Sequence, residues 1–196
     1  MIQSKDDLRY YLSEDRKALG IKDKLSIQDI VMPNKIWKFE KILRHFEYYK
    51  NVPSFWNKLM FIITGIRFRK ISVKLGFSIP ANVFGPGLSI AHYGTIVVNS
   101  NTRVGSNCRI HASVNIGTSG GGKIAPKIGD NVYIGPGAIL FGDIQIANNV
   151  TIGANATVNK SFDVENCVLA GTPAKIVKYN SLNWLEFNQI KQSQNH

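Results

Sequence analysis

A parallel β-helix of stacked six-residue units, preceded by a helical segment, is the fold class this sequence predicts. Three observations predict it. Aliphatic residues recur every six positions between residues 98 and 164, small residues follow most of them, and the stretch before them has helical spacing instead.

Val98, Val104, Ile110 and Ile116 fall at a spacing of six, and the phase resumes at Ile128, Ile134, Leu140, Ile146, Ile152, Val158 and Val164. Gly105, Gly117, Gly129, Gly135, Ala147 and Gly153 each come one residue later, where glycine permits a tight turn. Four residues after a framed aliphatic stand Cys108, Val114, Val132, Ala138, Ile144, Val150 and Ala156, so both positions point inward. A helix needs apolar spacing near 3.6, whereas a strict six with small-residue punctuation suits a short strand plus a corner. Three such units make one triangular coil, and stacked coils pair as parallel strands about 4.8 Å apart. This expectation puts Ile110 beneath Ile128 and Ile134 beneath Ile152. The repeat does not set the sense of the coil, because β-crossovers in general are right-handed.

Residues 1–76 read as an α-helical region, 77–178 as the repeat and 179–196 as a C-terminal helix and tail. Ser4 and Asp7 form a capping pair ahead of Leu8, Tyr11 and Leu12, which predicts a helix over 5–18. Two more helices are expected over 34–50 and 54–75. The former carries Ile36, Phe39, Ile42, Leu43 and Phe46 on one stripe, with Lys38, Lys41 and Arg44 displaced from it as a basic face. Pro53 suits the start of the latter. Leu182, Trp184, Leu185, Phe187 and Ile190 predict a short final helix that packs back or toward a neighbouring copy.

The chain has 196 residues and a formal charge of +11, with ten Lys or Arg against two Glu between Pro33 and Gly76. Such a surface attracts nucleic acid, an anionic membrane or a polyanionic cofactor, and charge alone does not choose among them. No nucleic-acid module accompanies it, so no nucleic-acid partner is expected. Cys108 and Cys167 lack metal-ligand spacing and read as buried free thiols; no metal is expected. The longest apolar run, Leu59 to Ile66, falls short of the roughly 18 to 20 residues that span a bilayer. With no secretory leader, a cytoplasmic location is expected.

Four local features resemble the hexapeptide-repeat acyltransferases, and among them the serine acetyltransferase-like branch. They are His92-Tyr93-Gly94, the loop Gly117-Thr118-Ser119-Gly120-Gly121-Gly122-Lys123, the run Ile128-Gly129-Asp130-Asn131-Val132-Tyr133-Ile134-Gly135, and Ala170-Gly171-Thr172-Pro173-Ala174-Lys175-Ile176-Val177. With the repeats they cover roughly residues 78–178. The resemblance implies a left-handed coil, a homotrimer, an acetyl-CoA co-substrate and a site between neighbouring copies.

Acetyl transfer to a hydroxyl needs a base, because an alcohol is a weak nucleophile near neutral pH, and histidine suits the task. The resemblance assigns that role to His92, with Tyr93 and His111 on the substrate side and His111 as the second choice of base. It places the pantetheine arm along Pro136 and Ala154, with Asn159, Lys160, Lys175 and Lys178 nearer the nucleotide. The glycine loop has Gly122 where an aliphatic is due, so it is expected to bulge and to offer backbone N–H groups, beginning at Thr118, to the cofactor or to a developing oxyanion.

In serine acetyltransferases an aspartate precedes the catalytic histidine, an Arg-His-Pro triplet ends the loop, and a further aspartate lies one coil earlier. Here those places hold Ala91, Ile124-Ala125-Pro126 and Phe77. A zwitterionic acceptor would leave its charges unpaired, at roughly several kcal/mol of desolvation. The acceptor expected is therefore a sugar hydroxyl of a surface or capsular polysaccharide or its precursor, with serine, as in cysteine biosynthesis, as the alternative. The basic helices are expected to hold the protein peripherally at the inner face of a membrane. A γ-carbonic-anhydrase-like reading wants three converging histidines, and only His92 and His111 lie in the repeats.

Overall fold

The computed structural model describes residues 1–22 and 33–193, with backbone alone for 189–193. Three helices, α1 (Lys5–Ala18), α2 (Lys35–Asn51) and α3 (Phe55–Leu75), precede a run of two- to four-residue strands from Phe77 to Lys178, and α4 (Trp184–Ser193) closes the chain. The strands wind as a left-handed parallel β-helix. Its three faces each stack successive coils in parallel register.

Face A holds Phe77–Ser78, Ile96–Val98, Asn115–Gly117, Ile139–Phe141 and Thr157–Val158. Face B holds Arg103–Val104, Lys127–Ile128 and Gln145–Ile146. Face C holds Ser89–Ile90, Arg109–Ile110, Tyr133–Ile134, Thr151–Ile152, Val168–Ala170 and, antiparallel at its end, Lys175–Lys178. Framed aliphatics form one inward column per face, such as Val98, Ile116, Leu140 and Val158. The second inward set is buried as well, Cys108 and Cys167 included, and both cysteines are free thiols.

Three sequence expectations change here. Ile110 stacks on Ile134 and not on Ile128, whose neighbours are Val104 and Ile146. The cause is the glycine loop, which spends one hexapeptide outside the coil between Ile116 on face A and Ile128 on face B. Val164 is exposed, and Phe162 takes the place due to it next to Ile146. The framed glycines serve close approach more than turning: a Cβ on Gly129 would lie 2.9 Å from the Ala147 carbonyl carbon, and one on Gly135 2.8 Å from the Ala154 nitrogen. Positive φ falls instead on asparagines such as Asn107, Asn131 and Asn149, a conformation asparagine tolerates. Their side-chain amides bond from coil to coil, Asn107 Nδ2 to Asn131 Oδ1 at 3.0 Å and Asn131 Nδ2 to Asn149 Oδ1 at 2.9 Å.

Ser4 caps α1 through the Asp7 N–H, and the Asp7 carboxylate accepts from Gln3, one residue before the expected reciprocal partner. That backbone hydrogen bond, then the Ser4 hydroxyl, lowers the Asp7 pKa. Pro53 stands one residue outside the Ser54 cap of α3. Arg44 is fully buried and so does not belong to the basic face of α2. Its guanidinium meets Asp15 at 2.7 Å and Glu47 at 2.9 Å, and donates to the Phe84 and Gly85 carbonyls.

The same carboxylates cap the first coil. Asp15 accepts from Gly87 and Leu88, Glu47 from Asn82, and Glu40 from Ile90 at 3.4 Å. Removing one partner of a buried ion pair strands the others, so Arg44→Ala is expected to cost roughly 3–5 kcal/mol in urea denaturation. Lys38→Ala, on the exposed side, stays within about 0.5. Burial, then Asp15, pushes the Glu40 carboxyl well above the usual range, against the pull of Arg44. The folded chain therefore keeps a proton that the unfolded chain releases above about pH 4.5, and stability falls as pH rises through that window. Glu40→Gln is expected to remove this slope and to raise stability at pH 8, read by thermal melts at both pH values.

Candidate active site

The corner between faces C and A repeats on every coil, and each repeat lies on the next. Ala91 N–H donates to the Ile110 carbonyl, His111 to Ile134, Gly135 to Ile152 and Gly153 to Leu169. This ladder puts His92, His111, Pro136 and Ala154 on one edge of the prism. The two imidazoles have ring centroids 5.8 Å apart, and His111 lies 4.9 Å from the Tyr133 ring. Only small residues stand at the lower corners, so Pro136 and Ala154 leave a smooth exposed strip on which an extended chain can lie.

His92 is exposed, and no side chain among the described residues bonds its ring. His111 has a buried Nε2 with no hydrogen-bond partner. Such an atom is costly unless something pairs with it, which marks it as a contact for a bound hydroxyl or water. Burial lowers the His111 pKa, and the charges of Arg109 and His92 lower it further. Arg109 is held in place by the Ser89 hydroxyl at 2.9 Å and lies over the Trp184 ring, so α4 packs back on face C. Tyr93 projects into solvent, 56% exposed.

The remaining predicted cofactor residues lie elsewhere. Thr118, Asn159 and Lys160 sit at or next to the opposite edge of face A, past the strands that end at Gly117 and Val158. Lys175 and Lys178 lie exposed on the reversed final strand, opposite Ala170 and Val168. The loop does bulge: Ser119 to Ile124 are exposed, and a Cβ at Gly120 or Gly121 would meet nothing within 4 Å. No group of three His, Cys, Asp or Glu able to hold a metal occurs among the described residues.

Sequence reasoning missed the anchoring of the His92 segment. The Gly94 N–H donates to the last carbonyl of α3, Leu75, and Ile96 N–H donates to Gly76. Gly76, in the left-handed conformation at φ 78°, was a readable signal for the helix end, though not for what the end would hold.

The repeat region carries a family signature: the model of the bacterial transferase hexapeptide (six repeats) matches residues 125–160. Among particular proteins, the chain is similar to serine acetyltransferases. It is 38% identical to that of Staphylococcus aureus strain Mu50 over 105 residues, 53% of this chain and 49% of the relative, and 30% identical to that of Synechococcus elongatus over 128 residues, 64% and 48%. It thus spans about half the length of these curated relatives. The structure of Brucella abortus serine acetyltransferase matches with a TM-score of 0.71 and 25% identity, over 90% of this chain and 71% of that one. A serine acetyltransferase in complex with CoA matches with a TM-score of 0.67 and 25% identity, over 89% and 72%.

The lowered pKa of His111 has a definite sign. Below about pH 6.5 the unfolded chain takes up a proton that folded His111 resists, so this residue's contribution to stability is lost as pH falls from there toward the folded value. In two-dimensional NMR, His111 is expected to titrate below 6.5 and to move upward in Arg109→Gln and, by less, in His92→Gln.

Proposed function

We propose that the protein is an acetyl-CoA-dependent O-acetyltransferase with His92 as general base. The observation that carries the reading is the single edge on which His92, His111, Pro136 and Ala154 stack, with a smooth strip running away from the imidazoles. An acceptor hydroxyl seated between the two rings gives its proton to His92 as its oxygen attacks the thioester carbonyl. The tetrahedral intermediate then expels the CoA sulfur, which takes the proton back from His92. His111, with its unpaired nitrogen, holds the acceptor hydroxyl. The lysines at 160, 175 and 178 suit the CoA phosphates as point charges.

The co-substrate rests on the similarity to the CoA complex and on this strip and these cations. A homotrimer is part of the proposal. Thr118, Asn159 and Lys160 stand across face A from His92, so one ligand meets both edges only if a second copy brings its own edge alongside. Val97 and Ile139 project from that face as exposed aliphatics, which supports its burial between copies.

Two acceptors are supported by different observations. The named relatives support serine. The site supports a neutral hydroxyl, such as that of a surface polysaccharide or its precursor: Phe77 is buried with its ring 5.0 Å from Phe39, Ala125 is buried, and Ala91 carries no charge. The absence of charge at these places favours the neutral sugar hydroxyl as the proposed acceptor, with serine, which the relatives favour, as the alternative.

Release of free CoA with serine and with a panel of neutral saccharides separates the two. Saccharide turnover well above serine is expected, and efficient turnover of serine alone overturns the sugar reading. His92→Ala is expected to lower kcat by about 10² to 10⁴ on the productive acceptor. An unchanged rate removes His92 from the role of base.

A further inference from the structure

Helix α3 is apolar on two opposite sides, and only one of them is used. Phe61, Phe68, Ile71 and Leu75 turn inward, where Phe46 of α2 stacks on Phe61 at 4.9 Å and on Phe68 at 5.1 Å. The other side carries Phe55, Trp56, Leu59, Ile62, Ile63 and Ile66, all exposed, with Trp56 at 71%. These recur at three- and four-residue steps and form a continuous stripe along the first three turns. A stripe of this size on a folded protein marks a contact surface.

The charge around it identifies the partner. Lys58 and Arg69 flank one border of the stripe and Arg67 and Lys74 the other, with Lys70 on its C-terminal continuation; α3 contains no acidic residue. Among the residues from Pro33 to Gly76, Arg44, Glu40 and Glu47 are buried, so the nine remaining Lys and Arg, all exposed, face solvent with no acidic side chain among them. Apolar side chains bordered by uncompensated cations complement an anionic lipid surface, where the stripe enters the acyl boundary and the cations meet phosphate headgroups. No described helix is long and apolar enough to cross a membrane, so the contact would be peripheral.

We infer that α3 docks the protein on an anionic bilayer through Phe55, Trp56, Leu59, Ile62, Ile63 and Ile66, with Lys58, Arg67, Arg69, Lys70 and Lys74 against the headgroups. The inference does not rest on the acceptor or on acetyl transfer.

Co-sedimentation of the full chain with vesicles tests it, using phosphatidylglycerol mixed into phosphatidylcholine against phosphatidylcholine alone. Binding is expected to the anionic vesicles at low salt, to weaken as salt rises, and to bring a blue shift in fluorescence that Trp56→Phe removes. Each cation near such a surface is worth about fivefold, so Arg69→Glu with Lys70→Glu should weaken binding by about 25-fold or more. Ile62→Asp with Ile66→Asp should abolish the blue shift while far-UV circular dichroism and melting stay those of the parent. Failure of the parent chain to bind anionic vesicles at low salt overturns the inference. So does equal binding to both vesicle types. If sedimentation velocity shows instead that the isoleucine variants break an assembly that ignores vesicles, the face belongs to a second copy.

Discussion

The buried guanidinium of Arg44 joins the helices to the β-helix, and the first coil depends on it. A parallel stack has an open edge at each end, where backbone groups lack the partners that every internal coil supplies. Here the open N–H groups of the first coil meet Asp15, Glu47 and Glu40, and the open carbonyls of Phe84 and Gly85 meet Arg44. Gathering carboxylates in a dry interior is unfavourable unless their charge is offset. Arg44 offsets Asp15 and Glu47 directly, and Glu40, with one oxygen unpartnered, is the carboxyl that burial drives toward its protonated form. The far end is closed differently: the chain reverses after Ala170 and lays Lys175–Lys178 antiparallel on the last strand.

Between these ends the stack accepts variation only where it does not disturb the inward columns. The glycine loop shows this most clearly. It adds a whole hexapeptide, so the face sequence resumes in phase, and the coil that contains it still aligns Val104 with Ile128, Ile110 with Ile134 and Ile116 with Leu140. Where the spacing departs from six the columns are kept by re-entry in register: Phe162 follows Val158 by four residues and Leu169 follows Phe162 by seven, and all three are buried. The same strictness positions the candidate site, because residues at one corner of successive coils must lie along one edge. His92 and His111 meet because they occupy the same corner on neighbouring coils, His111 level with Ala91 and His92 one residue on, and not because of any bond between them.

The six-residue frame was legible because the inward positions demand aliphatics and the corners demand small residues, which are demands on residue type. The limits of the three long helices were legible to within a residue for the same reason. Stacking partners were not, since the loop's extra hexapeptide can be counted but its expulsion from the coil is a property of space. Arg44 was misread as surface because helical spacing sets the direction of a side chain and not what arrives to meet it. Its partner Asp15 comes from another helix and its carbonyl partners from a coil some 40 residues away. The asparagine corners were not legible because asparagine, unlike glycine, takes the left-handed region only in some contexts, so its presence alone does not mark a turn. At the site, His92 and His111 were visible as residue types at corners, while the division of the cofactor candidates between two edges emerged only from the winding.

Burial of the acidic side chains also settles the character of the protein's outer surface. Capping the first coil takes Glu40 and Glu47 inward, the only acids between Pro33 and Gly76, together with a single cation. The composition of that segment understates its surface potential, because the acids that would have neutralised its lysines serve the interior. Structural need and surface charge are thereby coupled: the device that closes the β-helix leaves α2 and α3 uniformly basic outside. The same helices set the His92 corner through Leu75 and Gly76, so the charged surface and the candidate site share one rigid support.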